Sequence, residues 1–269
     1  RSELSELPDG KWKFTDYLDN DGFQVDPIKI CTTIVKEGRS ITVDFKGTDP
    51  QVKGSINMPF SFTVSSVYAC IRSVMDQSIP NNEGFFRPIK VITEPGSFVD
   101  CIHPAPVAAR GLGASRVTDC IWGALAQMLP HKVFACCVQG DYGVTIAGYT
   151  DECKPFISLE FLFSGWGGRP TKDGIDGISS LAVNYSNTPA EILEVEQPLR
   201  INRYQFRPDT GGAGKFRGSL GIEREYQLIE TNEAVLQVRS DRQKFRPFGL
   251  NGGKAGSLAS NLINPDSDS

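Results

Sequence analysis

The stretch from Gly211 to Gly221 sets Lys215 and Arg217 among Gly211, Gly212, Gly214, Gly218 and Gly221. Glycines let backbone N–H groups approach an anion, and two nearby cations could hold a phosphate. The stretch is not a Walker A loop, because the G-K-[ST] ending is absent. A strand rather than a helix is expected after it, so no helix N-terminus adds its dipole. The competing and favoured explanation is a set of tight turns and bulges that need a positive φ. Lys215 and Arg217 are the candidate cofactor-binding residues on the first explanation.

Asp173 and Asp176 flank a turn beside Gly165-Trp166-Gly167-Gly168-Arg169. Close carboxylates can act as an acid/base pair or hold a metal, but Asp-Gly is also ordinary turn chemistry, and that explanation is favoured. Asp44 closes an expected strand and Asn57 follows a turn, places where a polar side chain can meet a ligand; Asp44 could equally cap the turn at Gly47. Arg110 follows Ala105–Ala109, and its guanidinium could clamp a substrate carboxylate. A structural pair with Asp119 is favoured. Cys136-Cys137 lies in an apolar, strand-like run. A nucleophilic cysteine there would need a base, and His131 is the only local candidate. Adjacent strand residues face opposite ways, so a buried pair is favoured. The candidate catalytic set is Asp44, Asn57, Arg110, Asp173 and Asp176. No metal ligand is assigned, since His103 and His131 stand far apart and no C-x-x-C pair occurs.

These residues depend on elements that hold them. Ile28 to Val35 and Ser40 to Phe45 are β-rich and joined by Glu37-Gly38-Arg39, which predicts a hairpin. From Thr63, Val64, Val67, Tyr68, Ile71, Val74 and Met75 recur at helical spacing, with Thr63 as N-cap. From Ser115, Val117, Ile121, Ala124, Leu125 and Met128 do the same, with Ser115 as cap and Pro130 as stop. Expected strands are Ile89–Thr93, Val133–Val138, Val144–Tyr149, Phe156–Phe163, Leu199–Phe206, Gly221–Leu228 and Ala234–Arg239. A short helix is expected over Ala190–Val195 behind Thr188-Pro189. The region Lys11 to Asp26 surrounds the acidic turn Asp19-Asn20-Asp21-Gly22. This lacks the closing Glu of a calcium loop and is taken as a turn. The fold class expected is α+β, a strand-rich mixed fold with two main helices in the first half. An α+β lobe would occupy 1–130, a β-rich lobe 131–263, and a disordered tail 264–269.

The chain of 269 residues is 39% hydrophobic and 22% charged, with a formal net charge of −4. That length supports a sizeable core. Basic residues are interleaved with acidic ones, as Arg200, Arg203 and Arg207 are with Glu191, Glu194 and Glu196, which disfavours a nucleic-acid partner. No run of about 18 apolar residues is present, so no membrane span is expected. The odd cysteine count and absence of C-x-x-C point to reduced thiols and a cytoplasmic protein. Cys70 and Cys120 fall on the apolar faces of the two expected helices.

An ordered series of phrases resembles the hydantoinase B/oxoprolinase family. It includes Val43-Asp-Phe-Lys-Gly-Thr-Asp-Pro-Gln51, Gly54-Ser-Ile-Asn57, Pro104-Ala-Pro-Val-Ala-Ala-Arg-Gly111 and Gly165-Trp-Gly-Gly-Arg-Pro170. Asp173-Gly-Ile-Asp-Gly177, Arg207-Pro-Asp-Thr-Gly-Gly-Ala-Gly-Lys-Phe-Arg-Gly-Ser-Leu-Gly221 and Pro247-Phe-Gly-Leu-Asn-Gly-Gly253 follow. The resemblance implies the C-terminal half of a subunit in an ATP-dependent cyclic-amide hydrolase acting on hydantoin, 5-oxoproline or a lactam. An ATP-dependent ketone carboxylase and a non-catalytic scaffold that docks the ATP-binding partner are the alternatives. It further implies ATP with Mg bound by a hydantoinase A-type partner subunit, and a small-molecule substrate. A metal-associated, His- and Asp-rich stretch belongs to the family's N-terminal half. Nothing here matches it, so a transition metal would be sought there. The chain has no initiator Met and is expected to need that N-terminal half as a partner.

Overall fold

The computed structural model describes residues 2–137, 142–179, 183–229, 231 and 233–265. The first part is built on a four-stranded sheet. Strand β1 (Gly10–Leu18) pairs antiparallel with β2 (Ile28–Glu37), and β2 with β3 (Ser40–Asp44) through the expected hairpin. Strand β4 (Ile89–Ile92) lies parallel to β3, giving the order β1-β2-β3-β4. A parallel neighbour needs a long crossover, and this one carries the helices α2 (Phe60–Val74) and α3 (Glu83–Phe86). A one-turn helix, α1 (Ser2–Glu6), precedes the sheet. The segment taken as aromatic residues around an acidic turn is therefore strand β1 running into that turn.

Helix α4 (Arg110–Met128) packs on β1 and β2, and α2 packs on α4. Nearly every α4 residue is buried. Gly123 lets the helix lie on β1, since a Cβ there would come within 2.5 Å of the Phe14 ring. Both helices begin earlier than their sequence signals indicate. Thr63 does not cap; it sits buried one turn inside α2, and its hydroxyl donates to the Val99 carbonyl at 2.6 Å. Pro59 stands at the N-cap instead. Ser115 is also internal, bonded to the Gly111 carbonyl. Gly111 and Gly113 are poor helix formers, which hid the first turn. Gly113 is required by packing, because a Cβ there would sit 2.7 Å from the Ile56 carbonyl oxygen.

The second part is strand-rich. Strands β5 (Tyr142–Tyr149), β6 (Pro155–Leu162) and β9 (Ala234–Arg239) form an antiparallel sheet ordered β6-β5-β9. Strands β7 (Leu199–Arg207) and β8 (Gly221–Leu228) make a ribbon with a register shift between Ile201 and Arg203. Helix α5 (Ala190–Glu196) packs on β7. The expected strand 133–138 does not form over its described residues 133–137. That segment instead threads between loops, with Ala135 N donating to Gly168 O and Cys136 N to Phe248 O. Val133 and Cys137 belong to the same core as α2, α4 and β1–β3, with Trp166 and Leu250 packed against it. The core therefore continues past Pro130 into the strand-rich part. Asn264 and Pro265 are exposed; 266–269 lie outside the described residues. The whole is an α+β, strand-rich fold with α2 and α4 as its two main helices.

Candidate functional site

The glycine-rich motifs come together as an irregular stack of backbones. Ser219 N donates to Trp166 O, Gly174 N to Arg217 O, Lys254 N to Ala213 O, and Ser257 N to Thr210 O. A Cβ on Gly212 would lie 2.4 Å from the Lys254 carbonyl oxygen, on Gly211 2.7 Å from that of Gly218, and on Gly167 2.2 Å from that of Ala135. None of the Gly211–Gly221 glycines has a positive φ. The expectation that φ > 0 explains them is corrected: close approach of one backbone to another does. Two of their N–H groups serve bonds inside the loop itself, Gly218 N to Gly212 O and Gly221 N to the Thr210 hydroxyl.

Three residues singled out from separate motifs meet here. Arg217 forms a two-pronged bond to Asp176, at 2.9 and 2.7 Å. The Asp176 carboxylate also accepts from Leu220 N at 2.8 Å, and that of Asp173 from Arg217 N at 2.9 Å. The bond to Arg217, with help from Leu220 N, holds the Asp176 carboxyl below the usual range despite partial burial. Arg169 donates Nε to the Asp173 carbonyl at 2.7 Å. Asp176 and Arg217 therefore clamp the glycine-rich loop to the 165–177 loop. Lys215 stays exposed, its ammonium 5.5 Å from the Phe216 ring centroid.

The other candidates lie in the first part. Asp44 caps its own turn by accepting from Lys46 N at 2.9 Å, whereas Gly47 N donates to Glu94. Asn57 is fully buried; its oxygen accepts from Val52 N, and its amide faces the carbonyls of Val52, Gly54 and Pro106 at 2.8 to 3.0 Å. Arg110 opens α4, with its guanidinium over Phe62 and bonded to the Val107 carbonyl. The expected pair of Arg110 with Asp119 is overturned, because Asp119 is buried against Arg116 and Arg242. Cys136 and Cys137 are both buried, as expected, though on no strand.

A cleft of about 1750 Å³ opens between one face of the β6-β5-β9 sheet, the β7–β8 ribbon and the loops around 210–221 and 247–257. Its sheet wall is apolar, with Val144, Ile146, Leu236 and Val238. Its basic lining residues are Arg169, Arg203, Arg207, Lys215, Arg224, Arg242 and Lys254, against Glu223 and Glu225 as the acidic ones. Basic residues thus outnumber acidic ones in the lining of a chain whose net charge is −4. Asp44, Asn57, Arg110, Asp173, Asp176 and Arg217 do not line it.

Sequence reasoning missed a buried ionic cluster beneath this cleft. Arg116 bonds Asp119 at 3.0 Å, Asp16 at 3.3 Å, and Asp241. Arg242 bonds Asp16 at 2.9 Å, Asp119 at 2.8 Å and the Cys136 sulfur at 2.8 Å. Both guanidiniums are 1% exposed. Burial opposes the Arg116 charge, but Asp241, Asp16 and Asp119 hold its pKa well above the ordinary value. Burial pushes Asp16 up, with Arg116 opposing. Burial also raises the Cys136 thiol far above its usual range, with Asp119 adding to it, so this cysteine is a thiol and a poor nucleophile. Arg242 adopts φ +67°, a left-handed conformation that its ion pairs must hold in place. A sequence signal existed: Arg116 and Asp119 stand three apart among Val117, Cys120 and Ile121, where unpaired charge is costly.

Among the described residues no three His, Cys, Asp or Glu side chains converge as a metal site. No described helix is long and apolar enough to cross a membrane.

Solved structures share this fold. An ATP-dependent caprolactamase from Pseudomonas jessenii superposes with a TM-score of 0.77 at 23% identity, over 97% of this chain and 50% of that one. An acetone carboxylase gives 0.75 at 14%, over 89% and 35%. The chain belongs to the hydantoinase B/oxoprolinase family, whose model matches residues 1–268. It is 35% identical over 271 residues to the putative B-type component of a D-/L-hydantoinase from Pseudomonas sp. strain NS671, across 97% of this chain and 45% of that protein. It is 30% identical to the 5-oxoprolinase of Dictyostelium discoideum, across 93% of this chain and 18% of that protein. The chain thus spans about half, or less, of the length of these relatives.

Proposed function

We propose that this chain is the B-type component of an ATP-dependent hydrolase that opens a small cyclic amide, of the hydantoin, 5-oxoproline or lactam class. The observation that carries the reading is the 35% identity to a B-type hydantoinase component across nearly the whole chain. Amide resonance makes the ring carbonyl a poor electrophile, and a phosphorylated oxygen is a far better leaving group. That is the physical reason for coupling ring opening to ATP. No Walker A sequence occurs in this chain, so a hydantoinase A-type partner supplies ATP with its Mg. Further sequence corresponding to the N-terminal half of the relatives completes the subunit and holds any transition metal.

Within this chain the cationic cleft receives the small molecule. Lys215 keeps a binding role. Asp173, Asp176 and Arg217 act as positioning residues that fix the loops of the cleft wall. Asp44, Asn57 and Arg110 act by holding the first sheet and its helices in place. The free cysteines suit a cytoplasmic location.

The test is reconstitution of the native assembly with a hydantoinase A-type component, followed by measurement of ADP release and ring-opened product. The expected result is stoichiometric release of both with a cyclic amide and no turnover by this chain alone. ADP release that depends on a ketone and bicarbonate, with no amide opened, would replace the hydrolase reading by the carboxylase one. Full turnover by the isolated chain would overturn the subunit reading.

A further inference from the structure

Three cations on the loop side of the cleft stem from backbone segments that touch. Lys254 N donates to Ala213 O at 2.7 Å; a Cβ on Gly214 would lie 3.5 Å from Gly253 Cα, and one on Gly168 2.7 Å from Phe216 O. Arg169, Lys215 and Lys254 thus rise from neighbouring segments, and all three line the cleft. Three of the other four cations of the cleft are neutralised: Arg224 by Glu160 at 2.9 Å, Arg203 by Glu223 at 2.6 Å, and Arg242 by Asp16 and Asp119 at 2.9 and 2.8 Å. Arg169, Lys215 and Lys254 contact no carboxylate among the described residues. Arg169 bonds a carbonyl through Nε, and Lys215 lies over a ring. Like charges held together without counterions repel one another, and an anion between them relieves that repulsion. The sheet side of the cleft is apolar, with Val144, Leu236 and Val238 in its lining.

We propose that Arg169, Lys215 and Lys254 form an anion subsite that takes the phosphoryl group of a small phosphate monoester, whose apolar body lies on the β6-β5-β9 sheet. The arrangement matches that ligand in two ways. A dianion with three acceptor oxygens can engage several cationic donors at once, and charge-assisted bonds are the strong ones. A compact hydrocarbon body gains from the apolar wall, which a free phosphate cannot use. Arg217 is outside the subsite because Asp176 holds its guanidinium at both oxygens. The subsite deepens the function proposed above, on which only the origin of the phosphorylated ligand rests.

Calorimetric titration of the native assembly with phenyl phosphate, and separately with inorganic phosphate, tests this. Phenyl phosphate should bind more tightly than inorganic phosphate, and its affinity should fall as salt rises. Lys215→Gln and Lys254→Gln, both at exposed positions, should each weaken it roughly tenfold with unchanged circular dichroism. Equal affinity for the two anions would overturn the monoester assignment. Unchanged affinity in both variants would overturn the subsite, even if ATP-coupled ring opening proceeds. Phenyl phosphate binding that needs Lys215 and Lys254, in an assembly that opens no cyclic amide, would support the subsite and sink the proposed function.

Discussion

The two-pronged Arg217–Asp176 contact decides what substitutions at the glycine-rich loop report. Arg217 is 43% exposed, so solvent screens the pair and its worth to folding is about 1 kcal/mol or less. Arg217→Ala should therefore leave the melting temperature within a few degrees while lowering turnover of the reconstituted complex about tenfold, as the cleft wall loosens. Arg217→Lys should recover only part, because an ammonium cannot bond both carboxylate oxygens in one plane. Unchanged turnover in Arg217→Ala would confine the clamp to a structural role. Asn57 is the opposite case. Asn57→Ala removes bonds to four backbone groups in a buried place and should cost about 2–3 kcal/mol in urea unfolding. A smaller loss would mean that water replaces the amide. The pH response has a definite sign. Asp176 is lowered from 3.8 in the folded chain, so its stabilisation is present above that value and lost as pH falls through the folded pKa. Asp16 is raised, chiefly by burial, so its contribution is present below 3.8 and lost as pH rises through its folded pKa. Asp176→Asn should accordingly flatten the acid-side loss of stability as pH falls below about 3.8; a variant as acid-sensitive as the parent would refute this.

At the scale of elements, the structure separates glycines that look alike in sequence. A Cβ on Gly167 would lie 2.2 Å from the Ala135 carbonyl oxygen, whereas on Gly214 the nearest atom is 3.2 Å away. Gly167→Ala must push apart the 133–137 segment and its neighbours, and should destabilise by about 2 kcal/mol or more. Gly214→Ala should stay within about 0.5 kcal/mol. Equal urea midpoints for the two variants would remove the close-approach explanation. The same logic accounts for the helix starts that sequence signals misplaced. Gly111 and Gly113 lower local helix propensity, yet Gly113 is the residue that lets α4 press against Ile56 and Phe98. Tertiary packing overrides propensity there. The strand expected over 133–138 was drawn from an apolar run that a buried, irregular segment satisfies equally well.

Across the whole molecule, the ionic cluster joins what the chain order separates. Asp16 comes from β1, Arg116 and Asp119 from α4, and Asp241 and Arg242 from the segment after β9. Asp19 adds bonds to the backbone of Gln243 and Lys244. Removing one cation leaves buried carboxylates without compensation, at about 3–5 kcal/mol. Arg242→Ala should split a single calorimetric unfolding transition into two, the strand-rich part melting first. One transition at an unchanged temperature would show that the cluster does not couple the two parts.

The sequence by itself determined the family, through an ordered set of motifs, and the α+β character, through periodicities that local chemistry sets. The hairpin of β2 and β3, the strands β5 to β9 and the apolar faces of α2 and α4 follow from residues a few positions apart, and such patterns are legible without coordinates. Only the tertiary structure decided which polar residues meet. Asp176 finds Arg217 across 41 positions and Asp16 finds Arg242 across 226. Nothing in local spacing encodes such partners, because they are chosen by how the sheets, α4 and the glycine-rich loops pack. The same packing buried Asn57, left Lys215 exposed, and brought an apolar sheet face and the glycine-rich loops to one cleft.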